Sequence, residues 1–372
     1  MLQNLPLELV ETVLDYLDDH DLLNTLRTAR FLRHPSERKL YREISLSAHA
    51  SKGCFPETIV DDDRLAGYVT RVVTGDAGDQ RFNAVVGQAM KKMINLKDLD
   101  IYGDSSSITN LRLDLVPFSL TRFVLTILGW GDDSEFLPFV SILRAHPNIE
   151  ELAFDFSSPP LDLIAVLKAE EETPGSDILC PRLNSFYGNV EDLRLFLPRR
   201  RINRVRAIGS ETDRLVDQRD LATLWLTPSL IPSYQHLRIL EVGLFDPRTR
   251  NTCFLLIIAP YLISLTHLLL SDRSSRYHPA DDILLSLRGL RALESFTLTD
   301  LDGAAVLDVP NPHAIVDLVR TVFPDIAEIF VGGCNSRYYQ YKKGRRLHSS
   351  LVSEEVACRP YTKPYCARAR DL

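Results

Sequence analysis

The first helix-forming segment has a wider hydrophobic face than a single core requires. On a helix drawn from residue 7 to residue 17, apolar residues cover an arc of about 180°, whereas a helix resting on one core shows an apolar stripe of about 100°. The apolar set, in order around the arc, is Tyr16, Leu9, Val13, Leu17, Val10, Leu14 and Leu7. The helix's own core therefore accounts for only half of this arc.

Two further short helices are predicted in the same segment. The acidic turn after the first helix offers Asp19 or Asp21 as a cap for a helix over about residues 22–32. Pro35 cannot continue that helix but can open a third one, which ends near Tyr41. A bundle this small buries too little surface to be stable alone, so it needs a further partner.

A second pattern recurs from Leu96 onward. It has the form L-x-x-L-x-L, in which Ile, Val or Phe can replace Leu, and its copies are on average about 29 residues apart. The full copies are Leu96-Leu99-Ile101, Leu120-Phe123-Leu125, Ile149-Leu152-Phe154, Leu237-Leu240-Val242, Leu265-Leu268-Leu270, Leu293-Phe296-Leu298 and Ile326-Ile329-Val331. The weaker copies are Leu183-Phe186, Ile202-Val205 and Val69-Val72. The last two apolar positions have period two, which predicts a short strand with one buried face.

Helical patterns alternate with these predicted strands. They cover residues 136–144, 161–168, 193–197, 221–226, 254–258, 283–287 and 315–322. A repeated strand, loop, helix and turn is the unit of a solenoid. We therefore predict an α/β fold, in which three N-terminal helices precede an irregular solenoid with a curved, mostly parallel sheet lined by helices. A generic α/β sandwich is the alternative.

The order of residues near the N-terminus is more specific than the helix pattern. It reads Leu5-Pro6-x-Glu8-Leu9, Val13-Leu14-x-Tyr16-Leu17, Asp21-Leu22-Leu23, Arg30-x-Leu32 and Leu40-Tyr41-Arg42-x-Ile44. This order resembles the F-box, and the whole chain resembles the fungal-type F-box proteins with degenerate leucine-rich repeats. The resemblance implies that the helices bind the Skp-type adaptor of a cullin-RING ubiquitin ligase. The residues it assigns to this contact are Leu5, Pro6, Leu9, Val13, Leu14, Leu17, Leu22 and Leu23. The alternative is that these residues pack on the chain's own next domain.

These patterns divide the chain into four segments. They are an F-box at 1–47, a polar linker at 48–64, a degenerate leucine-rich-repeat domain at 65–335 and a basic tail with several tyrosines at 336–372. The tail holds nine Lys or Arg against three Asp or Glu, and we expect it to be solvated and partly disordered. A nuclear import signal around Lys342 and a contact with nucleic acid are the alternatives for this tail.

The strand positions between the apolar ones predict a surface for a target protein. Such residues point away from the core, onto the concave face of the sheet. The candidates are Asp98, Asp100, Tyr102, Arg122, Glu151, Asp155, Tyr187, Glu241 and Phe330. Ser295, Thr297 and Glu328 occupy equivalent positions. The set has an acidic lean that suggests a basic patch on the target, and the alternative is that these are plain solvated positions.

Composition narrows the class of partner. The net charge of −7 and the pI of about 5.8 do not favour nucleic acid or an anionic membrane as the main partner. The six cysteines show no CxxC pair and no zinc spacing, so we expect reduced thiols and no metal site. The apolar stretch 252–270 contains Pro260, which predicts a buried helix, a break and a buried strand, not a membrane span.

The sequence lacks the motifs that carry common enzyme chemistry. No phosphate-binding loop, nucleophile elbow or calcium loop occurs. We therefore predict no enzyme activity and no cofactor, and a chain that is monomeric in isolation and lies in the cytoplasm or nucleus. The predicted function is that of a non-catalytic substrate receptor in an SCF-type ligase, which holds an unknown target protein. A leucine-rich-repeat interaction scaffold without a ligase role is the alternative.

Overall fold

A computed structural model gives the structure of the protein. It describes residues 6–46, 55–75, 80–103, 111, 113, 116–127, 137–155, 161–172, 178–207, 222–223, 225–244, 250–272, 281–300, 312–333, 338–343 and 348–350. The chain divides into two compact units, Met1–Leu183 and Asn184–Leu372. Among the described residues, none of the helices combines the length and the apolar character needed to cross a membrane.

Three helices open the first unit, as the sequence predicts. They are α1 (Leu7–Leu14), α2 (Asp19–Thr28) and α3 (Arg33–Leu40). Helix α2 begins earlier than expected because the Asp18 side chain caps it, accepting a hydrogen bond from the backbone N–H of Asp21 at 2.8 Å. A short 3₁₀ turn leads into α3, so Pro35 lies in the first turn of that helix and not at its start. Leu14 and Leu22 form the buried centre of this bundle.

Five parallel strands follow one another across the rest of the first unit. They are β1 (Glu43–Leu46), β2 (Arg71–Gly75), β3 (Asp98–Gly103), β4 (Arg122–Ile127) and β5 (Glu151–Asp155), each paired with the next. The helices between and after them are α4 (Phe55–Asp61), α5 (Asp63–Ala66), α6 (Gln80–Lys92), α7 (Leu137–Ala145) and α8 (Leu161–Glu172). One row of paired positions, formed by Ile44, Val72, Leu99, Phe123 and Leu152, is buried on every strand. This row is the core of the unit.

The second unit repeats the same arrangement. Its parallel strands are β6 (Ser185–Gly188), β7 (Arg204–Ala207), β8 (Ile239–Leu244), β9 (His267–Asp272), β10 (Ser295–Asp300) and β11 (Glu328–Gly333), paired in chain order. The antiparallel strands β12 (Tyr338–Lys342) and β13 (His348–Ser350) extend the sheet beyond β11. Its helices are α9 (Val190–Phe196), α10 (Ile231–Tyr234), α11 (Arg250–Ile258), α12 (Asp281–Ser286) and α13 (Pro312–Val322).

The repeat pattern correctly predicts the strands. Each of the ten copies, weak ones included, corresponds to one strand from β2 to β11, and all of its apolar positions are buried. The apolar stretch 252–270 is also as predicted, because α11 ends at Ile258, a 3₁₀ turn holds Pro260 and β9 begins at His267. The parallel order and the aligned registers within each unit are those of a repeat architecture and not of a generic sandwich.

The predicted segment boundaries differ from the structure in three places. Strand β1 lies inside the predicted F-box, yet it pairs with β2 and belongs to the sheet. The predicted linker contains α4 and the first two residues of α5, and Ile59 of α4 is buried. The predicted tail begins with β12 and β13, and its last residues, 351–372, lie outside the described part of the chain.

A buried histidine follows α7. The His146 ring stacks on Phe118, with centroids 5.6 Å apart and planes 11° from parallel. Its Nδ1 accepts a hydrogen bond from the Leu120 N–H at 3.4 Å, and its Nε2 lies 3.2 Å from the Leu113 carbonyl oxygen. These partners fit a neutral ring that carries its proton on Nε2. Burial lowers the pKa of His146, and the hydrogen bond to Leu113 only partly offsets this effect.

We expect His146 to make the stability of the protein sensitive to mild acid. Because its pKa is lower in the folded than in the unfolded state, the unfolded chain binds the proton first as the pH falls below about 6.5. Stability is thus complete above this pH and declines towards the folded-state pKa, by about 1.4 kcal/mol for each pKa unit of difference. Urea unfolding at pH 7.5 and 5.5 measures this loss. It should be smaller in His146→Gln, whereas exposed His236→Gln should retain the full loss; equal losses in all three proteins would contradict the prediction.

Candidate functional site

The structure divides the wide apolar arc of α1 into two halves. Leu14 is buried, and Val10 and Leu17 are half-buried against the neighbouring helices. On the other side, Leu9, Val13 and Tyr16 are 52%, 58% and 86% exposed, and we call these three side chains the outer face. An apolar cluster on one face of an exposed helix is typical of a docking surface for another protein.

The residues predicted to contact an adaptor fall into three groups. Pro6, Leu9, Val13 and Leu23 are exposed. Leu17 is half-buried, and Leu5 lies outside the described residues. Leu14 and Leu22 are only 3% and 2% exposed, so the assignment of these two to the contact is corrected. Both side chains are buried within the helical bundle, so a partner cannot reach them.

A clamp joins this helical bundle to the next part of the unit. The mostly buried Glu37 carboxylate of α3 accepts hydrogen bonds from Arg33 at 3.0 Å and from Arg64 of α5. Burial alone would raise the pKa of Glu37, but hydrogen bonds and charge from Arg64 and Arg33 outweigh it and lower the pKa. The guanidinium of Arg64 also lies 5.7 Å from the centre of the Tyr68 ring. These contacts therefore join the N-terminal bundle to the first repeat.

We expect Glu37→Gln to lower the free energy of unfolding by about 1–2 kcal/mol at pH 7, because both arginines lose a charged acceptor and Arg64 is partly exposed. Since the pKa of Glu37 is lowered by folding, its contribution is present above the unfolded pKa and is lost as the pH falls through the folded one. Urea unfolding at pH 7 and pH 4 measures both effects. Exposed Glu8→Gln is the matched control, and an equal loss in that variant would contradict the role of the clamp.

Charged residues alternate in sign across the sheet of the first unit. Glu43, Arg71, Asp98, Arg122 and Glu151 lie opposite one another on β1 to β5. With Asp100, two positions beyond Asp98, they form a set that we call the charge ladder. Its ion pairs are Arg71–Glu43 at 3.5 Å, Arg71–Asp100 at 3.1 Å, Arg122–Glu151 at 3.3 Å and Arg122–Asp100. Most charged groups of the ladder are therefore paired with one another.

The charge ladder changes the interpretation of the predicted target surface. Asp100 is 1% exposed and contacts two arginines, so its assignment to target binding is corrected. Arg122 is also mostly covered by its two acidic partners. Asp98 is half-buried, and this burial raises the pKa of its carboxyl, although Arg122 and Arg71 act in the opposite direction. Asp98, Tyr102 and Glu151 remain partly accessible in this unit.

Strand residues of the predicted target surface also pair with one another in the second unit. Tyr187, Arg206 and Glu241 are paired positions on β6, β7 and β8. The Arg206 Nε lies 2.7 Å from the Glu241 carboxylate, and its guanidinium lies 4.9 Å from the centre of the Tyr187 ring. Glu241 is 4% exposed, so it too is corrected from a target contact to an internal ion pair.

The other predicted positions of this unit differ in accessibility. Ser295 and Thr297 are buried, whereas Tyr187, Glu328 and Phe330 are half-buried. The side chain of Asp155 lies outside the described part.

The structure also contains a concave site that the sequence does not predict. A groove of about 730 Å³ lies between the N-terminal helices and the turns that precede β2 and β3, and we call it the N-terminal groove. Its apolar lining is Leu7, Phe31, Pro35 and Tyr68. Its polar lining is Glu11, His34, Arg38, Thr70, Asn95 and Lys97, with the Gly67 backbone. Periodicity could not reveal it, because the pairing of His34 with Tyr68 joins residues from separate segments.

The described residues also bring Asp18, His20 and Asp21 close together. All three are exposed, and the Asp18 carboxylate already caps α2. This cluster therefore has the chemistry of a helix start and not that of a built metal site.

Comparisons with known proteins add little to this description. No protein-family model matches the sequence, and no curated protein matches it. Among solved structures, the chain is similar to the leucine-rich repeat-containing protein LegL7 from Legionella pneumophila, with 14% identity over 80% of this chain and 84% of that one and a TM-score of 0.43. Independently of this likeness, the buried L-x-x-L-x-L positions and the parallel strands of each unit define a leucine-rich-repeat-like α/β protein.

Proposed function

We propose that this chain is a non-catalytic substrate receptor of an SCF-type ubiquitin ligase. The N-terminal helices bind a Skp-type adaptor, and the repeats hold a target protein. The observation that carries the proposal is the outer face, where Leu9 and Val13 of α1 and Tyr16 in the turn after the helix are three exposed, large apolar side chains. This exposure is what the sequence order resembling an F-box leads one to expect.

The outer face has the energetic character of a binding site. Full burial of an aliphatic or aromatic side chain contributes about 1.5–3 kcal/mol, and a few central residues usually dominate the energy of an interface. Leu9 and Val13 are four positions apart, so they lie one turn above each other and present a continuous apolar strip. Charged Glu8 and exposed Asp15 lie at least about 100° around the helix from this strip, so the strip itself carries no charge.

The partly accessible strand residues support a target protein with a basic patch. The charge ladder has four carboxylates and two guanidiniums, so its internal pairs leave an excess of negative charge. Asp98 and Glu151 carry part of this charge at partly accessible positions, and Tyr102 is a partly accessible aromatic residue of the same sheet. Electrostatic complementarity of this kind steers the approach of an oppositely charged partner.

A scaffold without a ligase role is the second candidate. Strand β1 and the Glu37 clamp tie the N-terminal helices to the first repeat, as expected of a cap that closes the end of a repeat array. In that case the helices act only on the stability of the repeats, and the exposed outer face has no adaptor to bind.

Titration calorimetry of the full-length chain with a purified Skp-type adaptor tests the proposal. We expect a one-to-one complex, whereas the absence of binding by a folded chain would contradict the ligase role and leave the scaffold. A chain that lacks residues 1–47 is not a suitable control, because the deletion removes β1 from the sheet together with Glu37. Substitutions on the outer face are therefore the better test.

A further inference from the structure

The N-terminal groove differs from the outer face in both position and chemistry. On α1, Leu7 and Glu11 line the groove, and they lie roughly 160° around the helix from Leu9 and Val13. A protein bound to the outer face would therefore leave the groove open. The volume of about 730 Å³ is within the range of sites that enclose ligands, roughly 300–1,000 Å³.

The apolar part of the groove suits one large side chain. Leu7 is 54% exposed and Phe31 is 39% exposed, although both are residues that a folded chain normally buries. Pro35 and the ring of Tyr68 complete this wall. The Tyr68 hydroxyl is held 3.0 Å from His34 Nδ1, so the ring has a fixed orientation. An apolar or aromatic side chain inserted here would cover exposed carbon on several sides.

The polar part of the groove favours negative charge. Lys97 is exposed, and within the described residues its ammonium group has no ion pair. Arg38 forms an ion pair with Glu11 at 3.3 Å, and its side chain is 66% exposed, so it can still donate hydrogen bonds. Glu11 is the single carboxylate of the lining, against two permanent cations.

The lining of the groove also contains one side-chain amide whose orientation is fixed. The Asn95 amide nitrogen donates to the Gly67 carbonyl at 2.7 Å, which orients the side chain and directs its carbonyl oxygen elsewhere. The amide oxygen of Asn95 adds a hydrogen-bond acceptor to the lining. The combination of an amide acceptor, an apolar wall and a cationic rim matches a short peptide segment and not an isolated anion.

We propose that the N-terminal groove binds an extended acidic segment of a partner protein, in which carboxylates flank one apolar or aromatic side chain. Lys97 and Arg38 pair with the carboxylates, and the apolar side chain packs between Phe31 and Tyr68. The groove does not depend on adaptor binding, so it gives the chain a second protein contact that can be occupied at the same time as the outer face.

Selection from a random heptapeptide display library on the immobilised full-length chain tests this inference. We expect the selected peptides to contain two or more Asp or Glu around one Leu, Phe, Tyr or Trp. Their affinity, measured by fluorescence anisotropy, should fall at least about tenfold in Lys97→Glu and in Phe31→Ala. Lys91→Glu, which makes the same change at an exposed position outside the groove, should bind as the unmodified chain does.

Three results would overturn binding of an acidic segment in the groove. They are selected peptides that are neutral or basic, peptides that bind Lys97→Glu and the unmodified chain equally, and a selection that yields no binder. A chain with Leu9→Glu and Val13→Glu should keep its affinity for the acidic peptide. This result would show that the groove and the outer face are separate sites, whatever becomes of the adaptor.

Discussion

Replacing Asp100 with alanine should lower the free energy of unfolding by about 3 kcal/mol. Its side chain is 2% exposed and accepts hydrogen bonds from Arg71 and Arg122, which are 17% and 13% exposed. Removing one partner of a buried ion pair typically costs about 3–5 kcal/mol, because it leaves an uncompensated charge. The lower end applies here, since Glu43 and Glu151 still contact the two arginines.

Urea unfolding followed by circular dichroism measures this effect, since urea does not screen charges. Asp98→Ala is the matched control, because it removes a half-buried carboxylate from the same strand and should cost less than about 1 kcal/mol. A second control replaces Arg71 and Arg122 with methionine and Asp100 with leucine together. This apolar set should recover most of the loss, as buried ion networks often tolerate such exchange. Equal losses in Asp100→Ala and Asp98→Ala would show that the ladder adds nothing specific.

The repeat strands could be predicted because their signal is local. In each copy the apolar positions have a fixed offset, and burial of Leu99 and Ile101 on β3 follows from that offset alone. Strand β1 is harder to predict because it has only four residues and directly follows the helical segment. A signal is nevertheless present. Tyr41-x-x-Ile44-x-Leu46 fits the repeat pattern with an aromatic first position, and Ile44 pairs with Val72 of the next copy.

The accessibility of the strand residues could not be predicted from periodicity. Alternation indicates which face of the sheet a side chain occupies, but not whether neighbouring strands neutralise and cover it. The pattern predicts Asp100 and Glu241 on a surface, yet both are buried, because arginines lie beside them on adjacent strands. The charge ladder does become visible when the copies are aligned on their apolar positions, since the preceding residue alternates between acid and base from Glu43 to Glu151.

The N-terminal groove is harder still to predict from the sequence. Its walls come from α1, α3 and two turns that precede strands, so its formation depends on how the bundle packs against the first repeat. Hydrophobic pattern places each of these elements separately, but the contact between His34 and Tyr68 depends on tertiary structure. Concave sites between elements are for this reason harder to predict from sequence than either the core or a helix face.

Glutamate at both Leu9 and Val13 should reduce adaptor affinity at least about 100-fold in the proposed receptor. Burial of the two side chains is worth roughly 3–6 kcal/mol in the complex, and 1.4 kcal/mol corresponds to a tenfold change in Kd. The carboxylates would add a desolvation cost. The fold should be preserved, because the two residues are 52% and 58% exposed and Leu14 makes the core contact.

Calorimetric titration and thermal unfolding of the same variant, taken together, separate the two candidate functions. Thr12→Glu is the matched control, because it adds a charge to the polar side of α1 and should leave the affinity unchanged. In the receptor, the double variant loses binding and keeps its melting temperature. In a scaffold whose helices only cap the repeats, the unmodified chain has no adaptor affinity, and the double substitution leaves the melting temperature unchanged, because both side chains are largely exposed. A double variant that binds the adaptor as tightly as the unmodified chain would exclude the outer face as the contact, because no interface centred on Leu9 and Val13 could accept two buried carboxylates.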